Sequence, residues 1–115
     1  MYRFSYAEVV EDAPRECRQR EYEVFGQAIA LLKAADGRPS KSPEMSKALE
    51  FLQQLWTSLV KDIVHPDNEL PDKLKAQLIS IGFWVMRETG RVACGEHNDL
   101  AALIDINAMI QEGLK

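Results

Sequence analysis

Leu78-Ile79-Ser80-Ile81-Gly82-Phe83-Trp84-Val85-Met86 decides the fold, because it is apolar on nearly every side of a helix within an otherwise polar, helix-favouring chain. At ~100° per residue, Leu74, Leu78, Ile81, Val85 and Val92 line one face, while Ile79, Phe83 and Met86 form a second face roughly opposite. Trp84 falls on a flank between them. A surface helix of a small domain needs one apolar stripe, not two. This helix is therefore either wrapped by its own fold or offers a face to something else.

Breaks on either side of the run delimit further helices. Pro71 opens the helix that carries it, and Gly90 to Gly95 should fray its end. Upstream, Ser42 followed by Pro43 reads as an N-cap with proline in the first helical position. That second helix should reach about Val64, with Met45, Leu49, Leu52, Trp56, Leu59, Val60 and Ile63 on one broad face and Phe51 off it. His65 to Leu70 forms a turn, and Asp36-Gly37-Arg38-Pro39-Ser40-Lys41 is the clearest loop. The helix before that loop should start at Asp12 and Pro14 and end near Ala35. Its stripe is Tyr22, Phe25, Ile29 and Leu32, widened by Val24, Ala28 and Leu31, and Glu16 and Arg20 form an i,i+4 pair. Ser5-x-x-Glu8 resembles a capping box, although Tyr2, Phe4 and Tyr6 alternate as in a short extended arm. Asn98 or Asp99 should cap a last helix striped by Leu100, Leu103, Ile104, Ile110 and Leu114. No convincing strand, internal repeat or low-complexity segment occurs. The expected architecture is all-α: a single domain over residues 1–115, with four main helices plus a short N-terminal arm or helix, and the third helix central.

A chain of 115 residues forms one domain and can bury about two-thirds of its unfolded surface. Charged residues at 28% and apolar residues at 46% are ordinary for a globular protein. The net charge of -4 argues against a nucleic-acid module that works by charge alone. Acidity gathers after Gly95, where Glu96, Asp99, Asp105 and Glu112 face only Lys115. Cys17 and Cys94 fit no paired motif; reduced thiols are the simplest reading and one structural disulfide is the alternative. The N-terminus has no apolar signal core, and the apolar run is much shorter than the ~20 residues that span a bilayer. A soluble cytoplasmic protein is expected.

The residues offer little for catalysis. His65 precedes Pro66 in a turn and reads as a solvated helix-end residue. Cys94-x-x-His97 looks like half a metal site, but only Cys17 could obviously join it, so no metal is expected. No glycine-rich phosphate loop occurs, and Gly82 reads as a residue that permits close helix packing or else costs a little helix stability. Glu11 with Asp12, and Glu21 with Glu23, stand in polar, exposed contexts without the shielded pocket that acid–base work requires. Thr57 and Ser58 lie near Asp62 without a histidine to activate them. Neither an enzyme nor a cofactor is expected. Arg15, Arg18, Arg20, Lys73, Lys75, Arg87 and Arg91 are nearly balanced by Glu16, Glu21, Asp72 and Glu88, as on a solvated, ion-paired face.

The aromatics are the informative part. Trp56 and Trp84 are core residues by default. Ile79, Phe83 and Met86 are core if the third helix is central, or else a patch for a partner helix, where methionine and aromatic residues are favoured. RNA recognition would require Phe83 and Trp84 to be exposed beside basic residues.

Three segments carry a family resemblance: Tyr2-Arg3-Phe4-Ser5-Tyr6-Ala7-Glu8-Val9, Leu55-Trp56-Thr57-Ser58-Leu59, and Leu70-Pro71-Asp72-Lys73-Leu74 running into Leu78 to Glu88. With the Gly113-Leu114-Lys115 ending, they resemble the flagellar biosynthesis regulator FlaF of alphaproteobacteria, in order and spacing along essentially the whole chain. The archaeal protein of the same name has an unrelated β fold. The resemblance implies a cytoplasmic factor in flagellin production that acts alongside the regulator FlbT and binds flagellin as a secretion chaperone. It brings no catalytic motif. On this reading Ile79, Phe83 and Met86, with Phe51 and the Tyr2-Phe4-Tyr6 arm, would form an apolar groove for an amphipathic flagellin segment. Met45, Met86 and Met109 would supply adaptable contacts. The alternative is a post-transcriptional regulator that acts on flagellin mRNA, directly or through FlbT.

Overall fold

The structure is a computed structural model that describes residues 15–113, with side chains described from Gln19 onward. Readings placed on Tyr2, Phe4, Tyr6, the Ser5–Glu8 capping box, the Asp12–Pro14 helix start and Leu114 lie outside the described residues, as do the Glu16 and Cys17 side chains. Four helices form: α1 (Arg15–Ala35), α2 (Pro43–Val64), α3 (Asp72–Ala93) and α4 (Ala101–Glu112). There is no strand among the described residues. The all-α bundle of four main helices expected from periodicity is the observed fold.

Local chemistry sets the boundaries. Ser42 Oγ accepts the Met45 N–H at 3.2 Å and Pro43 opens α2, so the cap satisfies a donor that the helix cannot. α1 stops where Gly37 takes φ 80°, a left-handed conformation that side chains resist. α3 runs unbroken through Gly90 to Ala93 rather than fraying there, and ends where Gly95 takes φ 84°. Capping of α4 is shared across the chain. Asp36 Oδ1 accepts the Leu100 N–H at 2.8 Å, and Asp99 Oδ1 accepts the Ala101 N–H at 3.0 Å. Asn98 does not cap. Instead it clasps the α1–α2 loop, donating to the Gly37 carbonyl at 2.9 Å while its own carbonyl accepts the Gly37 N–H.

The packing order is α3–α2–α1–α4: α2 packs on both α1 and α3, and α1 packs on α4. The inner helices are therefore α1 and α2, not the third helix as expected, and the larger buried apolar face belongs to α2. That helix buries Met45, Ala48, Leu49, Leu52, Leu55, Trp56, Leu59 and Ile63, whereas α3 buries Leu78, Val85 and Val92 and leaves Leu74 and Ile81 half-buried. Trp56 joins the layers. Its ring meets Phe25 of α1 edge-on at 6.0 Å, and its Nε1–H donates to Asn107 Oδ1 of α4 at 2.9 Å. On the third side lies Gly82 of α3, where an added Cβ would fall 2.8 Å from Val60 Cγ2 and 3.3 Å from Trp56 Cε3. Met45 is core, and so is Glu21, which is buried at 3% exposure rather than solvated as its polar neighbours suggested.

Two measurements check this arrangement. Gly90 has open space around an added Cβ, so Gly90→Ala should gain helix propensity of up to ~1 kcal/mol and raise the melting temperature by several degrees. Gly82→Ala gains the same propensity but must push Val60 and Trp56 aside at ~1–3 kcal/mol, so thermal denaturation should show it less stable than Gly90→Ala. Asn107→Leu leaves the buried indole N–H without its acceptor and should cost ~1–3 kcal/mol in chemical denaturation. Combining it with Trp56→Phe should cost less than the two single changes added together.

Candidate functional site

The two-faced run divides on the outer side of α3. Leu78, Val85 and Val92 face α2 and the core, and Gly82 brings the helices close. Ile79, Met86 and Trp84 are half-buried and pack against the core with one side. Phe83 does not, and stands 63% exposed. Its immediate setting is an apolar ledge, with Ile79 one turn before and Met86 nearly one turn after, and exposed Ala76, Ser80 and Arg87 on the same side. Burying a phenylalanine is worth ~1.5–3 kcal/mol. The fold leaves that gain untaken at Phe83.

Phe51 is half-buried on α2. Gln53 and Val60, which meet Thr89 and Gly82 of α3, mark the flank of α2 nearest α3. Phe51 lies ~160° around the helix from Gln53 and does not adjoin the Phe83 ledge. Of the methionines named from sequence, Met109 is exposed on α4 and Met86 borders the ledge. Val64, at the end of α2, is the remaining large exposed apolar side chain among the described residues.

Charged chemistry collects elsewhere, at the C-terminal end of α3. Glu88 divides its carboxylate: Oε1 accepts from Arg91 Nη1 at 3.2 Å and Oε2 meets His97 Nε2 at 2.8 Å. Arg91 Nε also donates to Glu96 at 3.1 Å. The arginine pKa is raised above its ordinary value, first by the hydrogen bond to Glu96 and then by the Glu88 charge, so Arg91 is a permanent cation. His97 Nδ1 accepts the Asp99 N–H at 3.2 Å, which assigns the ring proton to Nε2 and makes it the donor to Glu88. The histidine that looked like half a metal site with Cys94 is thus a strut that pins the α3–α4 turn, while Cys94 is exposed. Among the described residues no group of three or more His, Cys, Asp or Glu could hold a metal ion. The sequence did carry a signal for this cluster. Glu88 falls between Val85 and Val92 on the core stripe, where a carboxylate needs partners.

Thr89, also buried, donates to the Met86 carbonyl at 2.8 Å and accepts from Gln53 Nε2 at 3.2 Å. Thr57 and Ser58 are exposed, and His65 is a solvated residue at the end of α2 whose Nδ1 accepts the Asp67 N–H at 3.1 Å. Among the described residues no helix is long and apolar enough to cross a membrane.

Residues 2–114 match the family described as flagellar protein FlaF. The chain belongs to the FlaF family. It is accordingly a flagellum-related protein, as the resemblance of its apolar run and N-terminal segment implied. No match is found among curated proteins or solved structures.

The strut makes a checkable claim. His97→Ala removes a contact to a buried carboxylate and should cost ~1–2 kcal/mol. Backbone amides of residues 95–99 should then exchange hydrogen faster while those of α2 stay protected, as resolved by exchange mass spectrometry or NMR.

Proposed function

We propose that this FlaF-family protein is a flagellar biosynthesis regulator that works as a flagellin-binding chaperone in the cytoplasm. It holds an amphipathic flagellin segment against the outer face of α3 before export. The observation that carries the reading is Phe83, exposed between half-buried Ile79 and Met86 on a helix whose core side is already filled. A flagellin terminal segment carries amphipathic helical sequence before assembly, and an apolar ledge of this kind can cover its apolar side. The unbranched, polarisable Met86 adapts to more than one register of a bound helix, which suits a grip that must release its client. Phe51 would contribute only from a distance, since it does not adjoin the ledge. Neither catalysis nor a cofactor enters this role. FlbT is a natural second partner in the same pathway of flagellin production.

One observation favours a second reading. Arg87 lies beside exposed Phe83, and a basic residue next to an accessible aromatic ring is an element of single-stranded RNA recognition. On that reading the protein regulates flagellin mRNA, directly or through FlbT. The net charge of -4 weighs against it.

Phe83→Glu separates the possibilities, because its side chain is outside the core. The variant should keep its helical circular dichroism while losing capture of flagellin roughly thirtyfold or more, the scale of a binding hot spot. Wild-type capture should persist as salt rises; steep loss with salt would point to phosphate contacts and to the mRNA reading. Undiminished flagellin capture by folded Phe83→Glu protein would reject the ledge as the site.

A further inference from the structure

The ledge on α3 carries a pattern that a flagellin client does not require: it is complementary to itself. At ~100° per residue, Asp72, Ala76, Phe83 and Arg87 fall within ~30° of one line along the outer face of α3. All four are exposed. Their spacing is symmetric about the peptide between Ile79 and Ser80. Ala76 lies three residues before Ile79 and Phe83 three after Ser80, while Asp72 and Arg87 lie seven residues out on either side. Neither Asp72 nor Arg87 has an ionic partner among the described residues.

We infer that two copies of the chain pair through this face, with their α3 helices antiparallel and the two-fold axis beside Ile79 and Ser80. In that register the Phe83 ring of each copy sits on Ala76 of the other, a large side chain over a small one, as ridges-into-grooves packing requires. Arg87 of each copy meets Asp72 of the other, so two equivalent ion pairs close the ends. Charge selects both direction and register. A parallel pairing would set Asp72 against Asp72 and Arg87 against Arg87, and like charges in contact oppose association. An isologous contact of this kind closes on itself and gives a dimer, not a fibre. One pair of helices is small beside the ~1,600 Å² of a standard interface, so the dimer is reversible. It covers Phe83 when nothing else does. The inference stands on the face itself and holds whether or not flagellin is the client.

Sedimentation equilibrium of the full chain, without flagellin and across micromolar to millimolar concentrations, tests it. The expected result is a monomer–dimer equilibrium. Asp72→Lys and Arg87→Glu, both at exposed positions, should each weaken it about tenfold or more, because each variant opposes like charges at both ends. An equimolar mixture of the two variants should recover dimer, since each copy supplies the charge that the other lacks. A monomer at every concentration would overturn the inference. So would a dimer indifferent to both substitutions, or a mixture no stronger than its components. Because flagellin is absent from the experiment, its failure leaves the chaperone reading untouched.

Discussion

The buried indole of Trp56 is the constraint around which this bundle is arranged. A ring that large has an apolar body that needs close neighbours and one N–H that needs an acceptor. Phe25 from α1 meets it edge-on, Gly82 from α3 clears a path for it, and Asn107 from α4 accepts its hydrogen bond. Each requirement falls on a different helix. The same side chain therefore fixes how all three sit around α2. Asn107 is in turn held by donating to the Leu103 carbonyl at 2.7 Å within α4, so the acceptor is oriented before it meets the indole. A buried, hydrogen-bonded polar pair of this kind specifies one arrangement of α4, where apolar packing alone would tolerate several.

That geometry explains what could be read from sequence and what could not. Ser42 with Pro43, and Gly37 at the end of α1, act within a few residues of themselves, so the end of α1 and the start of α2 were legible. Apolar spacing likewise identified most of the core stripe of α2, missing Ala48 and Leu55 and including Val60, which is half-buried. Which helix lies innermost was not legible from spacing. The two-faced run made α3 look central, yet α3 lies at one end of the packing order while α1 and α2 have neighbours on both sides, a property of the assembly and not of any one segment. Asp36 as a cap for Leu100 is unreadable for the same reason, because the partners are 64 residues apart. Glu21 was misread because its sequence neighbours are polar, whereas its position in the helix turns it inward. The reading of Gly82 as a close-packing residue was right, and it needed only the observation that glycine is costly inside a helix unless something occupies its missing side chain.

Once α3 is recognised as a flank, its second apolar face takes on a different meaning. An inner helix apolar all round would be unremarkable. A flanking helix has solvent on one side, and its apolar residues there divide according to how far they can lean back onto the core. Ile79 and Met86 reach it and are half-covered, while Phe83, pointing straight out, cannot. Membership of a flagellar family gives that leftover face a context, since an exposed apolar ledge is a feature that an amphipathic helix of another protein could cover.

The contrast between Gly82 and Phe83 completes the argument. They are sequence neighbours ~100° apart on one helix, yet one lies where α2 leaves no room for a side chain and the other is outside the core. Removing the side chain at position 82 lets α3 lie flat on Trp56 and Val60, so nothing at position 83 is needed to hold the helix in place. A large apolar residue that the fold does not use is free to answer to a partner. It is also free to be covered by its own symmetric copy until that partner arrives. The apolar run that first marked the fold thus divides between two faces, and its burden of stability lies on Leu78, Gly82 and Val85 rather than on Phe83.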